Sequence, residues 1–511
     1  MKRKPKRKSN GTGSPFRFRS ARERGGGKAS VPLFIPGVLM SNLQDLQPIP
    51  AVKPAFSGTG APLRVAFWTL GCRLNQYDTE SIKTSMAGVY DIDVVNWNDP
   101  AHLYVLNSCT VTAKADQECR RLARQVKRRH PSSKVVVAGC YAQTQPEALA
   151  AIPEIDGVVG NTDKDDVAAW LPAVMDEKSL TMKVEEFRDK PEFDSPLIDS
   201  FSGRSRAFVK IQDGCNLRCT YCLIWRARGP GRSRPVEDVL AQLRLLVETG
   251  YPETILAGIH LGGYGRDLLP KVALPELLEV CLEKIPGLRI RLSSIHPNEV
   301  NARLLEMFAS NERLRPHLHI SLQSGSDGVL KRMKRPYRSD RAWQAMSDVA
   351  AAVPHFGIGA DIIVGFPGET DAEFEDTRRM VEELPFSYLH VFRFSRRPGT
   401  AAADMPDQVH PETISRRSSI LRELAEHKKS EFSRSLVGTT REAVIEAESG
   451  IPGWRLGTTD NYVTVMVPED DAGDIVAGSL VDLEITNFSD GKLFTSIRKI
   501  IPGFAATGKE S

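Results

Sequence analysis

Cys215, Cys219 and Cys222 place three thiols within eight residues, in the run Cys215-Asn216-Leu217-Arg218-Cys219-Thr220-Tyr221-Cys222. A loop this tight wraps three corners of a cubic 4Fe–4S cluster, and no fourth Cys or His follows nearby. A structural zinc site wants four protein ligands. A cluster that works on a substrate instead keeps one iron open, and thiolates are the usual ligands of the others.

A second trio is scattered: Cys72 in Leu70-Gly71-Cys72-Arg73, Cys109 in Asn107-Ser108-Cys109-Thr110, and Cys140 in Ala138-Gly139-Cys140. Each lies just past a segment that reads as a buried parallel strand: Arg64–Thr69, Leu103–Asn107 and Lys134–Gly139. The carboxyl ends of such strands open onto one crevice, so the three thiols are expected to converge. The plain alternative is three structural cysteines. The repeated position relative to strand ends favours a second open cluster. Cys119 and Cys281 complete the eight. Each continues an apolar helix stripe (Ala115, Cys119, Leu122, Val126; Leu274, Leu278, Cys281, Ile285) and reads as core.

Around these residues the 511-residue chain divides into several parts. Residues 1–60 read as a disordered basic tail; the first 28 hold 11 Lys/Arg against the single acid Glu23. Residues 63–174 read as an α/β domain with a helix at Ala113–Arg129, followed by a linker over 175–204. Residues 205–435 alternate strands and helices. The strand candidates are Ala207–Ile211, Glu253–Ala257, Leu288–Leu292, His317–Ser321, Ile358–Val364 and Tyr388–Phe392. Six such units fit a partial (β/α)6 barrel, whose active groups gather at the strands' carboxyl ends. After a helical stretch, Pro411–Ser435, residues 436–500 carry turn signals between short strands at Arg441–Glu446, Tyr462–Val467, Leu480–Ile485 and Leu493–Ile497. That pattern fits a small β-barrel. The fold class expected is therefore α/β: an open parallel N-terminal domain, a partial barrel and a small C-terminal β-barrel. Eight cysteines in so long a chain do not make a disulfide scaffold, and their clustering implies metal in a reducing interior. No stretch is long and apolar enough to read as a transmembrane span, so a cytoplasmic protein with no membrane partner is expected.

The chain resembles the radical S-adenosylmethionine (SAM) methylthiotransferases from about residue 64 to 500. Matching segments include Thr69-Leu70-Gly71-Cys72-Arg73-Leu74-Asn75-Gln76-Tyr77-Asp78, Ile211-Gln212-Asp213-Gly214-Cys215, Ser321-Leu322-Gln323-Ser324-Gly325 and Asp361-Ile362-Ile363-Val364-Gly365-Phe366-Pro367-Gly368-Glu369-Thr370. Ile211-Gln212-Asp213-Gly214-Cys215 and Ser395-Arg396-Arg397 look most like the subgroup acting on N6-threonylcarbamoyladenosine of tRNA. Two places depart from the family pattern: Trp225 stands near a usual proline, and Ser108 replaces the commoner threonine before Cys109.

The resemblance implies two 4Fe–4S clusters, an auxiliary one on Cys72, Cys109 and Cys140 and a radical SAM one on Cys215, Cys219 and Cys222. It implies two SAM molecules per turnover, one donating methyl and one cleaved to a radical, with methylsulfide inserted at carbon 2 of the adenine. Gly258, Ser293, Ser294, Gln323 and Ser324 are expected near SAM. The partners implied are tRNA, SAM and an electron donor such as flavodoxin or ferredoxin, with the protein a monomer. Basic runs suggest RNA contact through Arg120, Arg124, Arg128, Arg226, Arg228 and Arg335. The small barrel resembles a TRAM domain, an RNA-binding module, yet residues 436–500 hold five basic groups against eleven acids, so its phosphate attraction is expected to be weak. Trp454, Tyr462 and Phe488 are its candidate base-stacking or core aromatics. Competing readings are a methylthiotransferase acting on isopentenyladenosine in tRNA or on an aspartate of a ribosomal protein, and, from another class, a non-catalytic iron–sulfur RNA-binding sensor.

Overall fold

The computed structural model describes residues 61–502 apart from 177–178, 189–191 and 470–474. The basic tail expected over 1–60 lies outside the described residues.

The first sheet is wholly parallel, with spatial order β2-β1-β3-β4-β5-β6. Its strands are β1 (Leu63–Thr69), β2 (Ile92–Val95), β3 (Leu103–Ser108), β4 (Lys134–Gly139), β5 (Gly157–Val159) and β6 (Thr181–Lys183). β3 and β4 are buried almost throughout, as apolar runs covered on both faces must be. Helix α1 (Arg73–Val89) follows β1, and α2 (Ala113–Arg129) follows β3. α2 starts at Thr112, whose hydroxyl accepts a hydrogen bond from the Ala115 amide at 3.2 Å, and ends on Lys127, Arg128 and Arg129, which suit the helix's negative end. β6 corrects the expected linker: residues 181–183 complete this sheet, and Ile198 and Phe201 pack into the core of the next domain.

The second domain carries β7 (Ala207–Asp213), β8 (Arg232–Ser233), β9 (Glu253–Gly258), β10 (Arg289–Leu292), β11 (Ser294–Ile295), β12 (His317–Gln323), β13 (Gly357–Val364) and β14 (Tyr388–Arg393). These form two four-stranded sheets, β10-β9-β7-β8 and β11-β12-β13-β14, which meet where Ser293 separates β10 from β11. All six expected strands run parallel, and only the short β8 is antiparallel to its neighbour. One continuous apolar core, from Val209 through Ile255, Ile290, Ile320 and Ile362, lies between these strands and their helices. The sheets' other face carries charged and polar side chains.

The third domain closes five strands in the order β15-β16-β17-β19-β18. They are β15 (Thr440–Glu448), β16 (Trp454–Thr459), β17 (Thr464–Pro468), β18 (Leu480–Ser489) and β19 (Lys492–Ile501). β16 was not among the expected strands. β17 begins after Tyr462, which sits instead in the preceding turn at φ +69°.

The acidic excess of this barrel docks it to the partial barrel. Glu442 takes Arg289 and Arg315, and Glu446 takes Arg206 at 2.7 Å. Arg291 donates to the backbone carbonyl of Asp460 at 2.8 Å.

Candidate active site

The first trio lies on the loop between β7 and β8. Gly214, at φ +69°, turns the chain there, and a Cβ on it would lie 2.0 Å from the Pro230 carbonyl oxygen, so only glycine fits. The Cys215 amide donates to the Gly229 carbonyl at 3.0 Å. Thr220 anchors the far side: its amide donates to Met333 at 3.1 Å, its hydroxyl to Arg332 at 2.9 Å, and its carbonyl accepts from Ala402 at 2.8 Å. Buried Gln212 ties loop to barrel, donating to the Gly214 carbonyl at 2.8 Å and accepting from the His260 amide at 2.7 Å.

Donors surround the sulfurs. Arg335 Nη1 lies 3.4 Å from Cys219 Sγ, and the Ile224 amide 3.4 Å from Cys222 Sγ. His260 contacts Cys215 on one side and Glu299 on the other, with Nε2 2.5 Å from Glu299 Oε1. Burial opposes charge on that imidazole, but its hydrogen bonds to Cys215 and Glu299 prevail and raise its pKa to about 9. Burial, joined by the nearby Cys219 and Cys215 thiols, pushes the Cys222 pKa up to about 12.

The second trio assembles from three strand ends, as the topology requires. Cys72 precedes α1, Cys109 follows β3, and Cys140 opens the helix Cys140–Thr144 after β4. Asn75 Oδ1 lies 3.9 Å from Cys72 Sγ and 3.8 Å from Cys140 Sγ, and its amide nitrogen donates to the Ser108 carbonyl at 2.9 Å. Asn161 donates to Cys140 Sγ at 3.5 Å and the Val111 amide to Cys109 Sγ at 3.4 Å. Burial and the adjacent Cys140 thiol push the Cys109 pKa up to about 12.

Both trios fit an iron–sulfur cluster. Burial first, with neighbouring thiols adding to it, raises the pKa values of Cys72, Cys109 and Cys222, and a cationic centre is what makes thiolates favourable there. Gly71, at φ +97°, leaves a cradle: a Cβ there would fall 2.7 Å from Cys109 Sγ. Cys119 and Cys281 are fully buried in apolar cores instead, each with its pKa raised to about 12 by burial.

A buried charge network joins the two trios. Asp78, six residues after Cys72, receives Lys210 at 2.7 Å, Lys164 at 2.8 Å and Arg228 at 2.7 Å. Arg228 also pairs with Asp213 at 3.1 Å, two residues before Cys215, and donates to Asn75 Oδ1 at 2.7 Å. Burial works against the Asp78 carboxylate, yet Arg228, Lys164 and Lys210 together hold its pKa well below the usual range. The sequence contained a signal for this network: Lys210 sits inside an apolar strand, and a buried charge demands a partner. Nearby, Arg397 pairs with Asp116 at 2.6 Å and Thr110 Oγ1 at 2.7 Å, binding the segment after β14 to the start of α2.

Two expected RNA contacts are corrected. Arg228 is 1% exposed and committed to two carboxylates, so it offers phosphate nothing. Arg335 is turned inward onto Cys219, the Ser321 carbonyl and Tyr337. Arg124, Arg128 and Arg226 are exposed. Arg120 is half-buried and donates to Tyr141 at 2.6 Å. Trp225 lies between two guanidiniums, Arg218 at 4.0 Å and Arg226 at 4.8 Å from its ring centre.

Of the residues expected near SAM, Ser293 has a buried hydroxyl with no partner among the described residues. Gln323 closes β12 at φ +68°. Ser294 pairs with Ser321 at 2.7 Å. Ser324 is corrected: it is fully buried, with its hydroxyl 3.1 Å from Thr377 on the covering helix. Gly258 is closely packed, with Gln212 3.0 Å from where its Cβ would be.

Comparison with known proteins agrees with this architecture. Residues 209–381 match the Radical SAM superfamily and residues 64–160 match Uncharacterized protein family UPF0004. The chain is 37% identical to a "Threonylcarbamoyladenosine tRNA methylthiotransferase MtaB" of Bacillus subtilis, over 81% of this chain and 92% of that one. It is 38% identical to the Aquifex aeolicus protein of the same name, over 79% and 96%. It is 34% identical to a "tRNA-2-methylthio-N(6)-dimethylallyladenosine synthase 1" of Mycobacterium marinum, over 86% of each chain. The chain belongs to the radical SAM methylthiotransferase family, alongside the threonylcarbamoyladenosine tRNA methylthiotransferases.

Proposed function

We propose that this protein transfers a methylthio group to carbon 2 of N6-threonylcarbamoyladenosine next to the anticodon of tRNA. The observation that carries this reading is the pair of three-thiol sites, tied by Arg228 and Asp78, in a chain 37% identical to a protein of that named activity.

Cys215, Cys219 and Cys222 would hold the radical SAM 4Fe–4S cluster, and Cys72, Cys109 and Cys140 the auxiliary one. With SAM bound, the clusters supply a carbon radical able to take hydrogen from an aromatic C–H, together with a place to carry sulfur. The rest is the work of this chain's own residues. Gln212 and Thr220 fix the cysteine loop against the barrel. Arg335 and His260 place donors on Cys219 and Cys215. Arg228 brings positive charge to Cys72 and Cys140 while holding the two domains in register. The Ser293 hydroxyl, without a partner among the described residues, is available to SAM, as is Gln323 at the end of β12. Arg124, Arg128 and Arg226 offer exposed cations to the phosphate backbone. Flavodoxin or ferredoxin supplies the electron, and the protein acts as a cytoplasmic monomer. No helix among the described residues is long and apolar enough to cross a membrane.

Nucleoside mass spectrometry of tRNA from cells lacking the gene tests the reading. The 2-methylthio derivative of threonylcarbamoyladenosine is expected to disappear while its precursor accumulates. Persistence of that nucleoside with loss of the isopentenyl counterpart would overturn the substrate assignment.

A further inference from the structure

On β12, β13 and β14, Leu318, Ile320, Ile358, Ala360 and Ile362 turn into the apolar core. Opposite parity puts His317, His319, Asp361, Tyr388 and His390 on the other face, inside the open barrel. Asp361 and His390 are register partners on neighbouring strands. These five side chains form one hydrogen-bonded chain. Asp361 Oδ1 lies 2.9 Å from His319 Nε2 and 3.2 Å from His390 Nδ1. The Tyr388 hydroxyl lies 3.0 Å from His319 Nδ1 and 2.9 Å from His317 Nε2.

A carboxylate only accepts, so both imidazoles donate to Asp361. With His319 Nδ1 accepting from the Tyr388 hydroxyl, that hydroxyl in turn accepts from His317 Nε2. This ordering leaves His317 Nδ1 as a buried acceptor without a partner, as observed. The chain ends at His390, whose side chain is 56% exposed and whose Nε2 makes no hydrogen bond among the described residues. Arg73, next to Cys72, approaches the His317 and Tyr388 end of this chain. Its guanidinium donates to the Tyr462 hydroxyl, and the Tyr462 ring lies 4.4 Å from His317 and 6.0 Å from Tyr388. Tyr388, His390 and Tyr462 line one cavity, and the Tyr462 hydroxyl accepts from Arg73, the residue after Cys72.

We propose that His390, oriented by Asp361, together with Arg73, reads the N6 substituent of the target adenosine. This deepens, and rests on, the substrate assigned above. A threonylcarbamoyl group brings a carboxylate, a hydroxyl and a urea. The Arg73 guanidinium and, when the ring is protonated, the His390 Nε2–H suit that carboxylate, and Asp361 is an acceptor for a urea N–H or the hydroxyl. An isopentenyl group makes no hydrogen bonds and would desolvate this wall without repayment. Sites built for polar groups reject apolar analogues on that ground.

The test is anaerobic fluorescence-anisotropy titration of the full-length, cluster-loaded protein, without reductant. The probes are anticodon stem-loops carrying either threonylcarbamoyladenosine or isopentenyladenosine. The unaltered protein is expected to prefer the first. His390→Ala, on an exposed edge strand, is expected to lose about tenfold of that preference. His390→Gln, which keeps an N–H donor, is expected to lose less. A preference unchanged in His390→Ala, or equal weakening for both RNAs, overturns this inference and leaves the proposed substrate standing. Equal binding of both RNAs by the unaltered protein overturns both.

Discussion

Cysteine is the residue type whose fate separates the two classes of site in this chain. Cys109 and Cys119 are ten residues apart and both buried, yet one faces two other thiols and the other faces Leu122 and Val126. Cys109→Ala is expected to cut iron per chain to about half after anaerobic reconstitution, since one of two clusters loses a ligand. Cys119→Ala is expected to leave iron unchanged; colorimetric iron analysis distinguishes the two. Spacing relative to strand ends made these roles legible in the sequence. The arginines were less so, because a run of basic residues does not reveal which of them turn inward. Arg226 is exposed and Arg228, two residues on, is buried between Asp78 and Asp213. Arg228→Ala leaves those carboxylates undercompensated and is expected to destabilise the fold by about 3–5 kcal/mol, read as a lowered midpoint in urea unfolding. Arg226→Ala is expected to shift it hardly at all.

At the scale of elements, helix α2 does two jobs on two faces. Cys119, Leu122, Ala123 and Val126 pack under the sheet, while Arg124 and Arg128 project outward with no salt bridge among the described residues. Exchanging both for glutamate is expected to weaken tRNA binding and to lower the slope of log affinity against log salt by about two, one per lost phosphate contact. A slope left unchanged would place the RNA elsewhere. The long helix α2 was readable from its apolar stripe. The short strands were not. β6 is three residues long with only Thr181 buried, and its pairing with β5 exists only once the sheet has formed. β16 carries Gly457 and two threonines in place of an alternating apolar pattern, and its place is set by the strands on either side.

At the scale of the whole molecule, the three domains meet at one side chain. Tyr462, in a left-handed turn of the C-terminal barrel, accepts a hydrogen bond from Arg73 of the first domain and packs on His317 of the second. Nothing in the sequence marks Tyr462 for this role. The turn signal at Asp460-Asn461 was visible, but the partner of the turn was not. The acidic surplus of that barrel also has a structural use, since Glu442 and Glu446 meet arginines of the partial barrel. Tyr462→Ala is expected to raise amide hydrogen exchange in the first turns of α1, next to Cys72, and to leave β3 and β4 protected. Exchange unchanged in α1 would deny the C-terminal domain any part in shaping the site.

Two clusters, each gripped by three thiols with one iron left to a reactant, are the premise beneath every step above. Mössbauer spectroscopy of the anaerobically reconstituted full-length chain measures this directly. Two 4Fe–4S clusters per polypeptide are expected, one of which changes its spectrum when SAM is added and is absent when Cys215, Cys219 and Cys222 are replaced by alanine. A single cluster, or two that both ignore SAM, would contradict it.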